Sequence, residues 1–250
     1  MSAVIGVIPA RWGSSRFPGK MLAALCGKPL IQWVWERARR AARLDEILVA
    51  TDDERIATAV EGFGGAVAMT GSHHASGTDR IAEAVRDMDA EVVINIQGDE
   101  PLIDPGLIDQ LAAEMSAGAE WDMATAAEPM RDAAPAADPS VVKVVCAADG
   151  RALYFSRALI PHVREKDGSV PDNALYLRHI GIYGYRREFL ERLVRTPPSN
   201  LELAEKLEQL RALHIGARMK VIMSAAPALG VDEPKDIPVA EDALRKAGCV

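Results

Sequence analysis

The chain has 250 residues, 49% of them hydrophobic and 26% charged, which bounds it to one large or two small globular domains. Its formal net charge of −7 excludes the basic surface of a general nucleic-acid binder, although cations focused in one cleft can still hold an anion. Cys26, Cys146 and Cys249 lie far apart without a CxxC pair, so neither a zinc site nor a disulfide framework is expected, and the thiols read as reduced ones in the cytoplasm.

Met1-Ser2-Ala3 leads straight into an apolar run, so no signal peptide is expected, and no apolar stretch is long enough to cross a membrane. Val4–Ile8 reads as a buried strand, followed by a loop, Pro9–Lys20, rich in glycine, proline and cations. Pro29–Ala42 reads as a helix with Ile31, Val34, Trp35 and Ala38 on one face, and Trp33 and Trp35 as packing residues. Strands are expected at Glu46–Thr51, Ala66–Met69 and Glu91–Gln97. Helices are expected through Ile56–Val60 and over Thr78–Met88 and Pro105–Met115. This alternation predicts an α/β fold, a Rossmann-like, mostly parallel sheet flanked by helices.

Past Ala124 the pattern changes. Val141–Val145, Ala152–Phe155 and Leu177–Tyr185 read as strands without helices between them, with loops at Asp132–Pro139 and Lys166–Asp172. The expectation is an antiparallel insertion, at about 125–190, covering the sheet edge within a single domain spanning 1–250. Helices return at Glu188–Val194, Leu201–His214 and Pro234–Ala247, around a last strand at Met219–Met223.

Three polar clusters follow expected strands, where open parallel sheets bind ligands. The first holds Arg11, Arg16 and Lys20 in one turn-rich loop, suited to a polyanion because backbone N–H groups and cations can wrap a phosphate. Five residues separate Gly13 from Gly19-Lys20-Met21, which is not the Walker A spacing, and there is no GxGxxG. The second is Gln97-Gly98-Asp99-Glu100-Pro101. Asp99 either ligates a cation such as Mg²⁺ or caps a turn. The third is Gly230-Val231-Asp232-Glu233-Pro234, where Asp232 is a second metal ligand or a helix cap. His73-His74 lacks the partners of a metal site, and Ser76-Gly77-Thr78 reads as a helix cap plus a polar loop able to meet the edge of a base.

The segments IPARWGSSRFPGK (Ile8–Lys20), ATDDERI (Ala50–Ile56), MTGSHHASGTDRIAE (Met69–Glu83), NIQGDEPLI (Asn95–Ile103), VVKVV (Val141–Val145), ALYFSRALIP (Ala152–Pro161), LRHIGIYGYR (Leu177–Arg186), EKLEQLR (Glu205–Arg211) and GVDEP (Gly230–Pro234) run through the whole chain in order. Together they resemble the 3-deoxy-manno-octulosonate (Kdo) cytidylyltransferases, also called CMP-Kdo synthetases. The opening loop is shared with other nucleotidyltransferases, including those for sialic acids; the later segments are more specific.

The resemblance implies transfer of CMP from CTP to the anomeric hydroxyl of Kdo, releasing pyrophosphate, with a product that feeds lipopolysaccharide assembly. It implies that Ala10, Arg11, Arg16, Lys20, Ser76, Gly77, Arg80, Gln97 and Gly98 bind the nucleotide. Arg16, Lys20, Asp99 and Asp232 are the implied catalytic set, with Mg²⁺ as cofactor on Asp99 and Asp232. Gln97, Arg157, His179, Tyr183, Glu208 and Gln209 are the implied sugar contacts, with His179 the protein candidate for a general base beside a metal-activated hydroxyl. A homodimer through the inserted sheet is implied as well, with no nucleic-acid or membrane partner. The alternatives are the 8-amino-3,8-dideoxy analogue of Kdo, another nonulosonic acid, and a catalytically idle nucleotide-binding regulator.

Overall fold

β1 (Val4–Ala10) is buried along nearly its whole length because it lies between two parallel neighbours. In the computed structural model, which describes residues 3–14, 16–74, 76–130, 136–164, 176–226 and 229–249, it is an interior strand of a nine-stranded sheet. On one side stand β4 (Glu46–Thr51) and β5 (Ala66–Met69), and on the other β6 (Val92–Asn95), all parallel to β1. The main path runs β11-β7-β10-β6-β1-β4-β5, where β7 is Met123–Met130, β10 is Tyr176–Arg186 and β11 is Met219–Met223. A short hairpin, β2 (Ala24–Leu25) with β3 (Lys28–Pro29), stands apart.

The pleat sends alternate residues of β1 to opposite faces. Val4 and Ile8 join the core beneath α1 (Leu30–Ala38), α2 (Glu54–Gly62) and α4 (Pro105–Ser116). Ile5 and Val7 join the core beneath α3 (Gly77–Ala84), α5 (Arg187–Arg195) and α7 (Gln209–His214). A third cluster seats α8 (Ile237–Lys246) against Leu25, Leu30 and Trp33. The α/β class and the mostly parallel sheet are as the sequence predicts.

Three expectations and one omission need correction. The helix expected over Pro29–Ala42 ends at Ala38, because Asp109 on α4 accepts hydrogen bonds from the backbone N–H groups of Ala42 and Arg43, at 3.1 and 2.8 Å, and turns the chain away. The helix expected over Leu201–His214 breaks into α6 (Asn200–Glu205) and α7, with Lys206 between them in the left-handed region at φ 54°. β7 went unrecognised because Met-Ala-Thr-Ala-Ala carries few strand formers; burial between β11 and β10 overrides that weak propensity.

The fourth correction concerns the insertion. β10 does not cover an edge but lies inside the sheet, antiparallel to both β6 and β7. Its first half also pairs with β8 (Lys143–Cys146), which pairs in turn with β9 (Ala152–Ser156). The loop expected at 132–139 lies partly outside the described residues, and the one at 166–172 lies wholly outside them.

Candidate active site

The carboxyl ends of β1 and β6 open into a cleft of about 300 Å³, the place where open α/β sheets bind ligands. Gly19 turns the loop after β1. Its φ of 73° is in the left-handed region, and a Cβ there would stand 2.9 Å from the Trp12 ring. Trp12 is covered by the Arg55 guanidinium, 3.3 Å from the ring centroid, which Asp53 holds through bonds of 2.9 and 2.6 Å. The Trp12 carbonyl accepts from the N–H groups of Ser14 and Gly19 at 2.9 and 3.0 Å, closing the loop on itself.

Lys20 therefore enters the cleft at the start of a single 3₁₀ turn, Lys20–Leu22. Its Nζ donates to Asp99 Oδ2 at 2.6 Å and to the Val231 carbonyl at 3.2 Å, and lies 3.5 Å from Asp232 Oδ1. Arg16 donates to the same Asp232 oxygen at 3.0 Å. The Val231 N–H donates to the Asp99 carbonyl at 2.9 Å, so the two carboxylate-bearing turns are tied together. Neither aspartate is a cap. Asp104 caps α4, and the Asp236 carboxylate takes the N–H groups of Asp232 and Glu233. Next to this cluster, burial first and then the Asp99 charge push the Glu100 carboxyl up to about 7.

Gly98 is required by space. A Cβ there would meet Met21 Sδ at 3.0 Å and the Pro9 carbonyl at 3.1 Å. On the opposite wall, Ser76 caps α3 through a reciprocal capping box with Asp79, as the sequence predicts. Gly77, the first residue of α3, lies against the Pro9 ring, 3.5 Å from where its Cβ would be. Arg80 is buried, paired with Asp52 at 3.1 Å and bonded to the Thr70 hydroxyl, so it fastens α3 beside the ends of β4 and β5.

The cleft thus gathers Ala10, Arg11, Arg16, Lys20, Ser76, Gly77, Arg80, Gln97, Gly98, Asp99 and Asp232. It also includes Ser14 and Met21, to which the sequence reading gave no role, and His74, which it weighed only as a metal ligand and set aside. The signal for His74 was its place just ahead of the SGTDR segment; it pairs with Glu83 on α3.

Arg157, His179, Tyr183, Glu208 and Gln209 lie outside that lining. His179 owes its place to an irregularity in β10, where Ile180 pairs with Ala126 but Tyr183 with Thr125. Such bulges re-aim side chains near functional sites. The Thr125 hydroxyl fills the bulge, 2.8 Å from the Ile182 carbonyl, 3.2 Å from the Ile180 carbonyl and 2.9 Å from His179 Nε2. The hydroxyl has one proton for these three neighbours; donated to a carbonyl, it makes Nε2 the imidazole donor and leaves Nδ1 as an acceptor.

Burial drives His179 down to about 3, so the ring takes no proton at neutral pH. A ring held this far down is a weak proton acceptor, which speaks against His179 as the protein candidate for a general base and in favour of a neutral hydrogen-bonding group. Burial likewise raises Tyr183 well above its usual value.

Arg157 is held from four directions. Its N–H and Nε bond to Glu205 at 2.9 and 2.8 Å, Nη1 bonds to the Pro139 carbonyl at 3.1 Å, and its own carbonyl accepts from Lys143 at 2.6 Å. Glu208 pairs with the buried Arg211 at 2.9 Å, and Arg211 also forks onto Glu202. Gln209 is buried at the start of α7.

The donor set suits Mg²⁺, which takes one or two carboxylates and completes its shell with phosphate oxygens and water. Asp99 and Asp232 converge on one ammonium, and among the described residues no group of three or more His, Cys, Asp or Glu forms a self-sufficient site. No helix among the described residues is long and apolar enough to cross a membrane.

A family model described as cytidylyltransferase matches residues 5–222. A 3-deoxy-manno-octulosonate cytidylyltransferase of Geobacter sulfurreducens is 47% identical over 240 residues, 94% of this chain and 96% of the relative. An 8-amino-3,8-dideoxy-manno-octulosonate cytidylyltransferase of Shewanella halifaxensis is 52% identical over 243 residues, 95% of this chain and 97% of the relative. The solved structure of a CMP:2-keto-3-deoxy-manno-octonic acid synthetase complexed with CTP superposes with a TM-score of 0.92 at 42% identity, covering 98% of this chain and 100% of that one. Fold, site loops and near full-length identity agree: the chain belongs to the cytidylyltransferase family, among the CMP-Kdo synthetases.

Proposed function

We propose that this enzyme transfers CMP from CTP to the anomeric hydroxyl of Kdo, forming CMP-Kdo and pyrophosphate for lipopolysaccharide biosynthesis. The observation that carries the reading is the meeting of Arg16, Lys20, Asp99 and Asp232 in one cleft with the capped loop Ser76–Gly77 opposite. Arg11, Arg16 and Lys20 hold the triphosphate, and Ser76, Gly77 and Arg80 meet the cytosine beside Ala10 and Gly98. A sugar oxygen attacks the α-phosphorus, the bond to the β-phosphate breaks, and pyrophosphate leaves with the electron pair while the hydroxyl proton passes to solvent. Cations fixed before reaction stabilise the charge that grows on the phosphate oxygens.

Asp99 and Asp232 are the residues that hold Mg²⁺, whose chemistry when bound is to polarise the phosphate and lower the pKa of the attacking hydroxyl. Gln97, Arg157, His179, Tyr183, Glu208 and Gln209 form the sugar side. Arg157 presents a fixed guanidinium to the Kdo carboxylate, and His179 Nδ1 accepts a hydroxyl proton in a hydrogen bond.

Residues 1–250 act as one catalytic domain, with the region at about 125–190 serving sugar binding and a homodimer contact. Exposed Leu153 and Leu159, on and just after β9, support that contact. The protein works in the cytoplasm, where CTP is available and unpaired Cys26, Cys146 and Cys249 stay reduced.

Purified protein with CTP and Mg²⁺ should release pyrophosphate on addition of Kdo, followed as initial rates. The Shewanella relative favours a second reading, the same reaction on 8-amino-3,8-dideoxy-octulosonate, so the panel includes that sugar and a sialic acid. Release with the amino sugar alone would move the assignment to it, and release with none would overturn the transferase reading.

A further inference from the structure

Glu208 reaches across the molecule. Its Oε1 is held by Nη2 of Arg211, on α7, at 2.9 Å. Its Oε2 accepts from Thr78 Oγ1 at 2.5 Å, and Thr78 is the second residue of α3, directly after the Ser76–Gly77 loop. Thr78 is buried at 2% exposure, so its hydroxyl has no water to exchange for this bond. The carboxylate itself remains partly open, at 31% side-chain exposure.

Donor directions follow from the chemistry. A carboxylate only accepts, so Thr78 gives its proton to Glu208. Tyr185 is buried beside Thr78 and Asn95, and Gln97 Nε2 donates to Asn95 Oδ1 at 3.3 Å.

We propose that Thr78 is a positioning residue for the sugar side: its hydroxyl orients the Glu208 carboxylate and thereby locks α7 to the start of α3. This rests on the reading that Glu208 contacts the sugar. Of the four lone-pair directions on the carboxylate, two are committed to Thr78 and Arg211, and the others are presented to sugar hydroxyls in one fixed orientation. Without the Thr78 bond, one torsion of Glu208 is released, and a partly open carboxylate loses one of its two fixed donors.

The test compares Thr78→Val, which keeps the shape and loses the hydroxyl, with Thr78→Ser, which keeps the hydroxyl and loses a methyl. KM for Kdo and for CTP are measured separately. T78V is expected to raise KM for Kdo about tenfold, the loss of one charge-assisted hydrogen bond. KM for CTP should move less than twofold, and T78S should restore KM for Kdo. In a Glu208→Gln background, T78V should add less than it does alone, because the residue acts through Glu208.

A structural role alone predicts the reverse order, with T78S worse than T78V and both KM values moving together; that result would overturn the proposal. If E208Q itself leaves KM for Kdo unchanged, the sugar-contact reading of Glu208 falls. If E208Q raises it and T78V does not, only the positioning role falls. A melting temperature for each variant confirms that the comparison is between folded proteins, and should T78V fail to fold, Thr78→Ala removes the same hydroxyl without adding bulk, with a rise in KM for Kdo expected and an unchanged value counting against it.

Discussion

Lys20 Nζ stands 2.6 Å from Asp99 Oδ2 and 3.5 Å from Asp232 Oδ1, so one ammonium spans two carboxylates brought together from separate turns. It offsets the charge of both carboxylates, and under the proposed function it is placed to turn toward phosphate. Lys20→Met is expected to lower turnover at least about a hundredfold, since a fixed cation aimed at developing charge is lost. Asp99→Asn should lower it comparably while the fold persists. Pyrophosphate release and far-UV circular dichroism check both, and near-normal turnover in Asp99→Asn would remove that carboxylate from the metal role.

The loop that delivers Lys20 depends on Gly19, where a side chain would both occupy a left-handed conformation and press on Trp12. Gly27 supplies a control, because its φ is 82° but nothing lies within 4 Å of an added Cβ. Gly27→Ala is expected to cost about 1 kcal/mol from backbone strain alone. Gly19→Ala should cost more and also raise KM for CTP, as the loop is displaced. Equal effects of the two substitutions on CTP binding would show that the Trp12 contact does not shape the site.

Lys143 is fully buried, and its ammonium donates to the carbonyls of Asp138, Val141 and Arg157 at 3.0, 2.6 and 2.6 Å. Burial lowers its pKa, yet the three acceptors keep it useful as a backbone clamp. Lys143→Met leaves them without a donor, at about 1 kcal/mol each, so a loss of about 3 kcal/mol is expected. Melting should fall by on the order of 10 °C, and KM for the sugar should rise because the Arg157 backbone loses its anchor. An unchanged melting temperature would contradict the clamp.

His179 makes a prediction about acid. Its folded value, about 3, lies below the ordinary histidine value of 6.5, so between the two the unfolded chain binds a proton that the folded one does not. The sign follows from linkage: this contribution to stability is fully present above pH 6.5 and is lost as pH falls toward 3. At pH 4.5 the loss is on the order of 2 kcal/mol, and His179→Gln should show a correspondingly shallower decline between pH 6.5 and 4.5. Urea titrations at a series of pH values measure it. Parallel declines would mean that the imidazole is protonated in the fold.

Much of the site was legible as sequence because its chemistry is local. A cationic loop after β1, a carboxylate after β6, and a Ser-Gly pair at the start of α3 each announce themselves within a few residues. Lys143 and Thr78 did not. A lysine in an apolar run and a threonine one residue inside a helix carry no sign of what they touch, and their partners, Arg157 and Glu208, are remote in the chain. The break at Lys206 was hidden for the same reason. The Glu205 carboxylate is drawn to the Ser156 hydroxyl and the Arg157 N–H, a tertiary attachment that interrupts an otherwise helical pattern.

The sequence by itself determined the α/β class, the order of the parallel strands' motifs and the loops that line the cleft, because strand and helix periodicity and glycine-bearing turns are written in neighbouring residues. Only the tertiary structure decided that β10 runs inside the sheet, that His179 is neutral, and which carboxylates meet on Lys20. Strand neighbours, burial and ion pairing are set by residues far apart in the chain, and their energies exist only once the sheet has closed around them.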